Sequence, residues 1–383
     1  MLPMRAAADP VACPNQTTAA QDGCGETMLA TLAASFGGTV QHPDFFTAYA
    51  TQSGQSYKGR RPPWNVAGVD YAPGVRPRSA PLSDPASLSG QQGCVYSSDG
   101  PRLVCQNPAG VTIQGYDFSL HGGVFLQLSS SGGPCVVEDN NFQWSATNAY
   151  QPHWWVWFDQ CQRYAFSYNT LKGQPWALAT TWSGTVLVHG ATGDGIVEHN
   201  DVEWPNGRFV EFASNGNYTN RYNYYEGLIY NGGNHGEIDF AGGSQHIDYE
   251  YNAILIPSTS SSNGVASFAP FYGYYAVPVA TVVVSNNVFL INRAGGAGGK
   301  IANSVAGFAV EGGGAAHAPV SIGMLTLTGN VYDPSGAYFC NVANNGTTIG
   351  TLNESGNVNL LDGSSVTGIV GQGSGEVCRW RHR

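Results

Sequence analysis

The chain has 383 residues, 42% of them hydrophobic and 12% aromatic, yet only 11% charged, with a net charge of −10. The apolar and aromatic content excludes a disordered chain. The lack of a run of about 18 apolar residues excludes a membrane-spanning helix, and the acidic balance argues against nucleic acid as a partner. With 51 glycines and charge well below the usual share of about a quarter, the composition points to many short strands joined by tight turns.

Taken in chain order, residues 1–80 are irregular. Met1–Arg5 has no apolar signal core, so the chain is expected to begin near a mature end. Gly25–Ser35 reads as a short capping helix ahead of Gly37-Gly38, and 58–90, rich in Pro, Arg and Ser, as an extended arm lying over a core. This predicts a cap and arm over 1–89 and one repetitive domain over 90–383. The eight cysteines (13, 24, 94, 105, 135, 161, 340, 378) include no CxxC. They are expected to form at least three disulfides in an oxidising compartment, which places the protein outside the cell or in a periplasm. Nearest-neighbour pairing is the expectation; Cys94 and Cys105 flank the turn signal Ser97-Ser98-Asp99-Gly100 and can face each other across a hairpin.

From about residue 90 a unit recurs: an apolar strand, an asparagine, any residue, an apolar residue. It reads VVEDNNF, AFSYNTL, IVEHNDV, TNRYNYY, IDYEYNAI, VVVSNNVF, LTLTGNVY and LNESGNVN, with the marked asparagines at 140, 169, 200, 223, 252, 287, 330 and 357. VTIQGYDF is an earlier copy with Tyr116 in the asparagine place. The spacings of 24, 29, 31, 23, 29, 35, 43 and 27 share a floor near 23 with irregular additions, as solenoid coils with variable loops do. Asparagine suits a sharp turn because it tolerates left-handed backbone, and stacked coils would bring its amides into a hydrogen-bonded column at about 4.8 Å intervals. The expected fold is therefore all-β: a single-stranded right-handed parallel β-helix of about nine coils.

The coil pattern and its asparagine column over roughly residues 90–370 resemble the pectin-lyase-like right-handed parallel β-helix superfamily. That resemblance concerns fold, which does not fix function. Polygalacturonases carry an Asn-Thr-Asp, an Asp-Asp pair, a Gly-His-Gly and an Arg-x-Lys; here His121-Gly122-Gly123 and Asn234-His235-Gly236-Glu237 are only loosely similar. No family's catalytic residues carry over.

A second strand follows each asparagine turn. Aligning these strands on an inward anchor (Phe158, Val188, Phe212, Phe240, Phe268, Phe308) sends the alternate residues outward. Asp159, His189, Glu211, Glu237 and Asp239 would then meet on one face of consecutive coils, at spacings of about 5–7 Å. Paired carboxylates at such spacings serve glycosidic hydrolysis, and their crowding raises the pKa of one of them, as a general acid requires. His189 is placed to orient a group or relay a proton. Trp155 and Trp157 would point out beside the acids as platforms for sugar rings, with Gln160, Arg208 and His235 as flanking sugar-binding groups. The alternative is a solvated acidic face or a calcium site.

A second face holds Lys172, Glu203 and Glu226 three residues after the asparagines, and Glu138, Ser167, Glu198, Arg221 and Glu250 two before them. Lyases of the resembled superfamily commonly use a Lys or Arg as base, with a cation neutralising the uronate, so Lys172 and Arg221 are candidates. The competing and preferred reading is a ladder of ion pairs. The expectation for the whole is a monomeric glycoside hydrolase acting on a polysaccharide in a surface groove, with a polysaccharide lyase or a non-catalytic binding solenoid as rivals. No cofactor is expected, calcium being the one ion left open.

Overall fold

The computed structural model describes residues 61–143, 154–172, 186–190, 193–203, 208–212, 216–226, 237–241, 245–256, 267–269, 271–272, 278–291, 306–311, 321–332, 338–342, 348–359 and 363–367, some strand positions by backbone alone. The described residues are all-β with long parallel sheets, consistent with a β-solenoid. The expected helix over Gly25–Ser35 lies outside them, as do Cys13, Cys24 and Cys378.

Three long sheets are visited in turn, and a fourth, parallel and three-stranded, is made of Phe271–Tyr272, Ala306–Glu311 and Tyr338–Val342. The first holds Cys94–Ser97, Arg102–Gln106, Phe125–Ser129, Trp154–Asp159, Val186–Gly190, Arg208–Phe212, Glu237–Ala241 and Ser267–Ala269. The second runs from Val111–Gln114 through Pro134–Glu138, Arg163–Ser167, Asp194–Glu198, Tyr218–Arg221, His246–Glu250, Val279–Ser285 and Ser321–Thr328 to Thr348–Ser355. The third comprises the short strands that follow each asparagine, from Asn141–Gln143 to Val358–Asn359. Pairing is parallel throughout these sheets except at the opening hairpin, where Cys94 and Cys105 are register partners and are joined by a disulfide. A second disulfide, Cys135–Cys161, ties the second sheet to the segment that leaves the first.

The eight marked asparagines form one buried column. From Asn140 to Asn330 each side-chain Oδ1 of the next coil accepts from both the backbone N–H and the Nδ2 of the asparagine before it, at 2.8–3.2 Å. Each Nδ2 also donates to a strand carbonyl such as that of Val137 or Phe166. Every polar atom of the buried amides is thereby used, which is the condition for keeping them out of water. Tyr116 ends the column by donating its backbone N–H to the Asn140 Oδ1 at 2.9 Å.

The left-handed geometry falls one residue earlier than the sequence reading placed it. The residue before each asparagine has positive φ, between +54° and +57° at Asp139, Tyr168, His199, Tyr222, Tyr251 and Asn286 and +64° at Gly329 and Gly356. Asparagine itself is reserved for the column, and the cost of the left-handed backbone falls on a neighbour. In successive coils that neighbour is an aromatic ring, and Tyr168, His199, Tyr222 and Tyr251 stack with centroids 4.7, 5.0 and 5.2 Å apart.

The interior is filled by residues of all three sheets. Phe158 stacks on Tyr164 and Phe212 on Tyr218, all fully buried or nearly so. At the start of the described coils, Leu88 plugs the core from a short 3-10 helix, Pro85–Leu88, capped by Asp84. The Gln92 side-chain amide bonds both the N–H and the carbonyl of Thr112, at 3.0 and 2.8 Å, and so occupies the open edge of Val111–Gln114. At the other end Val366 is buried and donates its N–H to the Asn357 carbonyl. The arm lies along the outside of the third sheet: Val66, Ala67, Val69 and Tyr71 pack on Tyr222, Tyr224, Ala253, Val288 and Val331.

Candidate functional site

The register of the first sheet decides which residues share a row. Gln127 pairs with Trp157, Trp157 with His189, and His189 with Glu211. This differs from the expected alignment by two residues in the His189 strand, and the reason is a glycine. Val188 is level with Val156 and Val210, while the position level with Phe158 and Phe212 is Gly190. The Tyr164 ring occupies the space that a side chain at Gly190 would need. A search for a bulky anchor therefore skips the true one. His189 moves as a consequence from the level of Asp159 to that of Trp157 and Glu211.

The same error recurs in Glu237–Ala241. Ala241, not Phe240, is level with Phe212, so Glu211 pairs with Phe240 and Asp239 with Val210. The expected pairing of Glu211 with Asp239 on one row is corrected by one position, and in a strand such a slip changes face: Asp239, and Glu237 two residues before it, fall in the register phase of the buried Val210 rather than that of Glu211. A register shift between Glu237 and Phe240 marks the contact with the following strand. The side chains of His189, Arg208, Glu211, Glu237 and Asp239, and all of His235, lie outside the described residues.

The two tryptophans separate. Trp157 is half-buried in the row with His189, and Asp159, also half-buried, is level with Ser129 further along the same strand. Trp155 is 4% exposed, so the expected open platform at this position is corrected. Its ring lies against Gly123, where an added Cβ would sit 2.9 Å from it, leaving no face for a sugar. Gln160 is exposed, with φ +55°, directly after the strand.

On the outer side of the second sheet, register aligns Glu138, Ser167, Glu198, Arg221, Glu250 and Ser285 in one row. Arg221 Nε donates to Glu198 Oε2 at 2.8 Å, and Ser285 Oγ donates to Glu250 Oε1 at 3.0 Å. Burial works against the Arg221 charge, but Glu198 and Glu250 more than offset it and hold the guanidinium above its ordinary pKa. Lys172 pairs with Glu203 at 3.1 Å on the third sheet. Both candidate bases thus sit in ion pairs, and proton abstraction would first require breaking them.

One group on this face was missed. Asp248 lies two residues before Glu250 on His246–Glu250, and its carboxyl is pushed up to about 6 by burial and by Glu250, against the opposing pull of His246 and Arg221. The alternation His246-Ile247-Asp248-Tyr249-Glu250, with Ile247 and Tyr249 buried, was the available signal. Carboxyl groups two apart on one side of a strand are about 6.5–7 Å from each other, a spacing that leaves room for a water between them.

Among the described residues, no group of three or more His, Cys, Asp and Glu is placed to hold a metal ion, and no helix is long and apolar enough to cross a membrane. The two disulfides fit an oxidising compartment. No family model, no curated protein and no solved structure matches the chain. The fold and faces define an all-β, parallel-sheet chain of the β-solenoid kind, and its function has to be argued from its own residues.

Proposed function

We propose that the protein is a secreted glycoside hydrolase on a right-handed parallel β-helix of the pectin-lyase-like kind, cleaving a polysaccharide across the outer face of the first sheet. The observation that carries this reading is the row Trp157, His189 and Glu211 on three neighbouring strands. Trp157 supplies a face for a sugar ring, Glu211 the general acid, and His189 the group that orients it or relays its proton. Asp159, further along the Trp157 strand, is the carboxylate from which the second catalytic acid is drawn, with Arg208, Gln160 and His235 as sugar contacts. Hydrolysis is favoured over elimination by the state of the cations. The two candidate bases, Lys172 and Arg221, are each paired with carboxylates, whereas elimination needs a base free to take a proton.

A second placement of the same chemistry rests on Asp248. With its carboxyl near pKa 6, and with Glu250 beside it accepting from Ser285, Asp248 has the raised pKa that a general acid requires. Incubation with a panel of polysaccharides tests the reaction class. New reducing ends without absorbance at the unsaturated-uronate band are expected. Such absorbance would make it a lyase, and neither signal on any polymer that the protein binds would make it a binding solenoid.

A further inference from the structure

The stacked rings ahead of the asparagine column include one that differs in kind. Tyr168, His199, Tyr222 and Tyr251 all hold φ of +54° to +57°, and neighbouring planes lie within 19° of parallel. Tyrosine therefore satisfies both the backbone and the stacking at this turn. Histidine adds one property that tyrosine lacks, which is the uptake of a proton in mild acid.

His199 is also where the arm closes. Gly74 donates its N–H to the His199 carbonyl at 2.8 Å, and the Tyr71 ring is 6.1 Å from the imidazole. On either side the arm is fixed to the same column. Trp64 meets the edge of Tyr251 at 6.3 Å, and the Arg76 guanidinium lies 4.4 Å over Tyr168 while its Nε bonds Asp139 at 2.8 Å. His199 is left 5% exposed. The groups around it are Tyr71, Asp70 and Arg76 from the arm, Tyr168 and Tyr222 in the column, Glu198 and Arg221 on the second sheet, and Asp201 on the third. Burial, and after it the Arg221 and Arg76 charges, push the imidazole down to about 3.

We propose that residues 61–76 form an acid-released clasp in which His199 accepts a proton only when the arm lifts, so that acid detaches the arm from the ring column. Detachment would uncover the apolar strip of Tyr224, Ala253, Val288 and Val331 that the arm covers. An imidazole of ordinary pKa, about 6.5 in the open state, and near 3 in the closed state raises the opening equilibrium about 200-fold between pH 7 and pH 4.

The test is amide exchange at Gly68 and Gly74 in the full chain, corrected for the intrinsic pH dependence of exchange, for the parent and for His199→Tyr. Parent protection should fall by about 200-fold from pH 7 to pH 4. His199→Tyr should lose at least tenfold less, since it keeps the stack and leaves every other charged group of the arm and column in place. Identical profiles in the two proteins would overturn the proposal, as would a parallel loss at the Asn252 amide, which would mean global opening. Should His199→Tyr fail to fold, ring titration of His199 in the parent decides: a midpoint below 4 supports the clasp, and one near 6.5 with the arm still protected overturns it.

Discussion

Asp248 and His199 carry opposite consequences of the same cause, since burial disfavours the charged form of each. For Asp248 the folded carboxyl binds its proton more tightly than the unfolded one. Between about pH 4 and 6 the native state therefore holds more protons, and this residue's contribution to stability falls as pH rises through that window. Asp248→Asn should raise Tm at pH 7.5 and leave it unchanged below pH 4; a lower Tm at pH 7.5 would show that the charge is compensated. The same variant discriminates between the two faces. Loss of activity by about a hundredfold or more would place the acid on the second sheet. Trp157 belongs to the other face. Trp157→Ala should raise KM several-fold with little change in kcat, because a stacking platform holds ground state and transition state alike. An unchanged KM would remove Trp157 from the site.

At the scale of the repeating element, the asparagine column was legible because its cause is local and periodic: one polar residue, in register, between apolar neighbours. Asn200→Ala would leave the Asn169 backbone N–H without its acceptor at 2.9 Å and the Phe166 carbonyl without its side-chain donor. Stranding these groups in a dry column should cost about 3 kcal/mol, read from the denaturant midpoint, whereas Asn353→Ala on the exposed face should change stability by less than about 0.5 kcal/mol. A cost under 1 kcal/mol for Asn200→Ala would mean that water enters the column. The ring stack was legible in principle, since Tyr-Asn, His-Asn, Tyr-Asn and Tyr-Asn stand in the sequence at 168, 199, 222 and 251. It went unread because left-handed geometry was assigned to the asparagine. The first-sheet alignment failed for a different reason. Gly190 and Ala241 stand at anchor positions, Gly190 because Tyr164 reaches across from the second sheet. Volume is conserved across the core rather than within a column, and a single strand does not display that exchange.

For the whole molecule, the sequence revealed the parallel sheets, but the choice among faces depends on strand register and on charge pairing across coils that are 23 or more residues apart. Arg221 with Glu198 and Lys172 with Glu203 illustrate this: each looks like a candidate base in the sequence and is an ion-pair partner in the fold. What remains on the first sheet is an aromatic platform in register with a histidine and a glutamate. The most direct test of that assignment is the rate of reducing-end release by the parent and by folded Glu211→Gln on a polysaccharide that the parent cleaves. A loss of about two orders of magnitude in kcat, with binding retained, is the predicted result. Full activity in Glu211→Gln would contradict it.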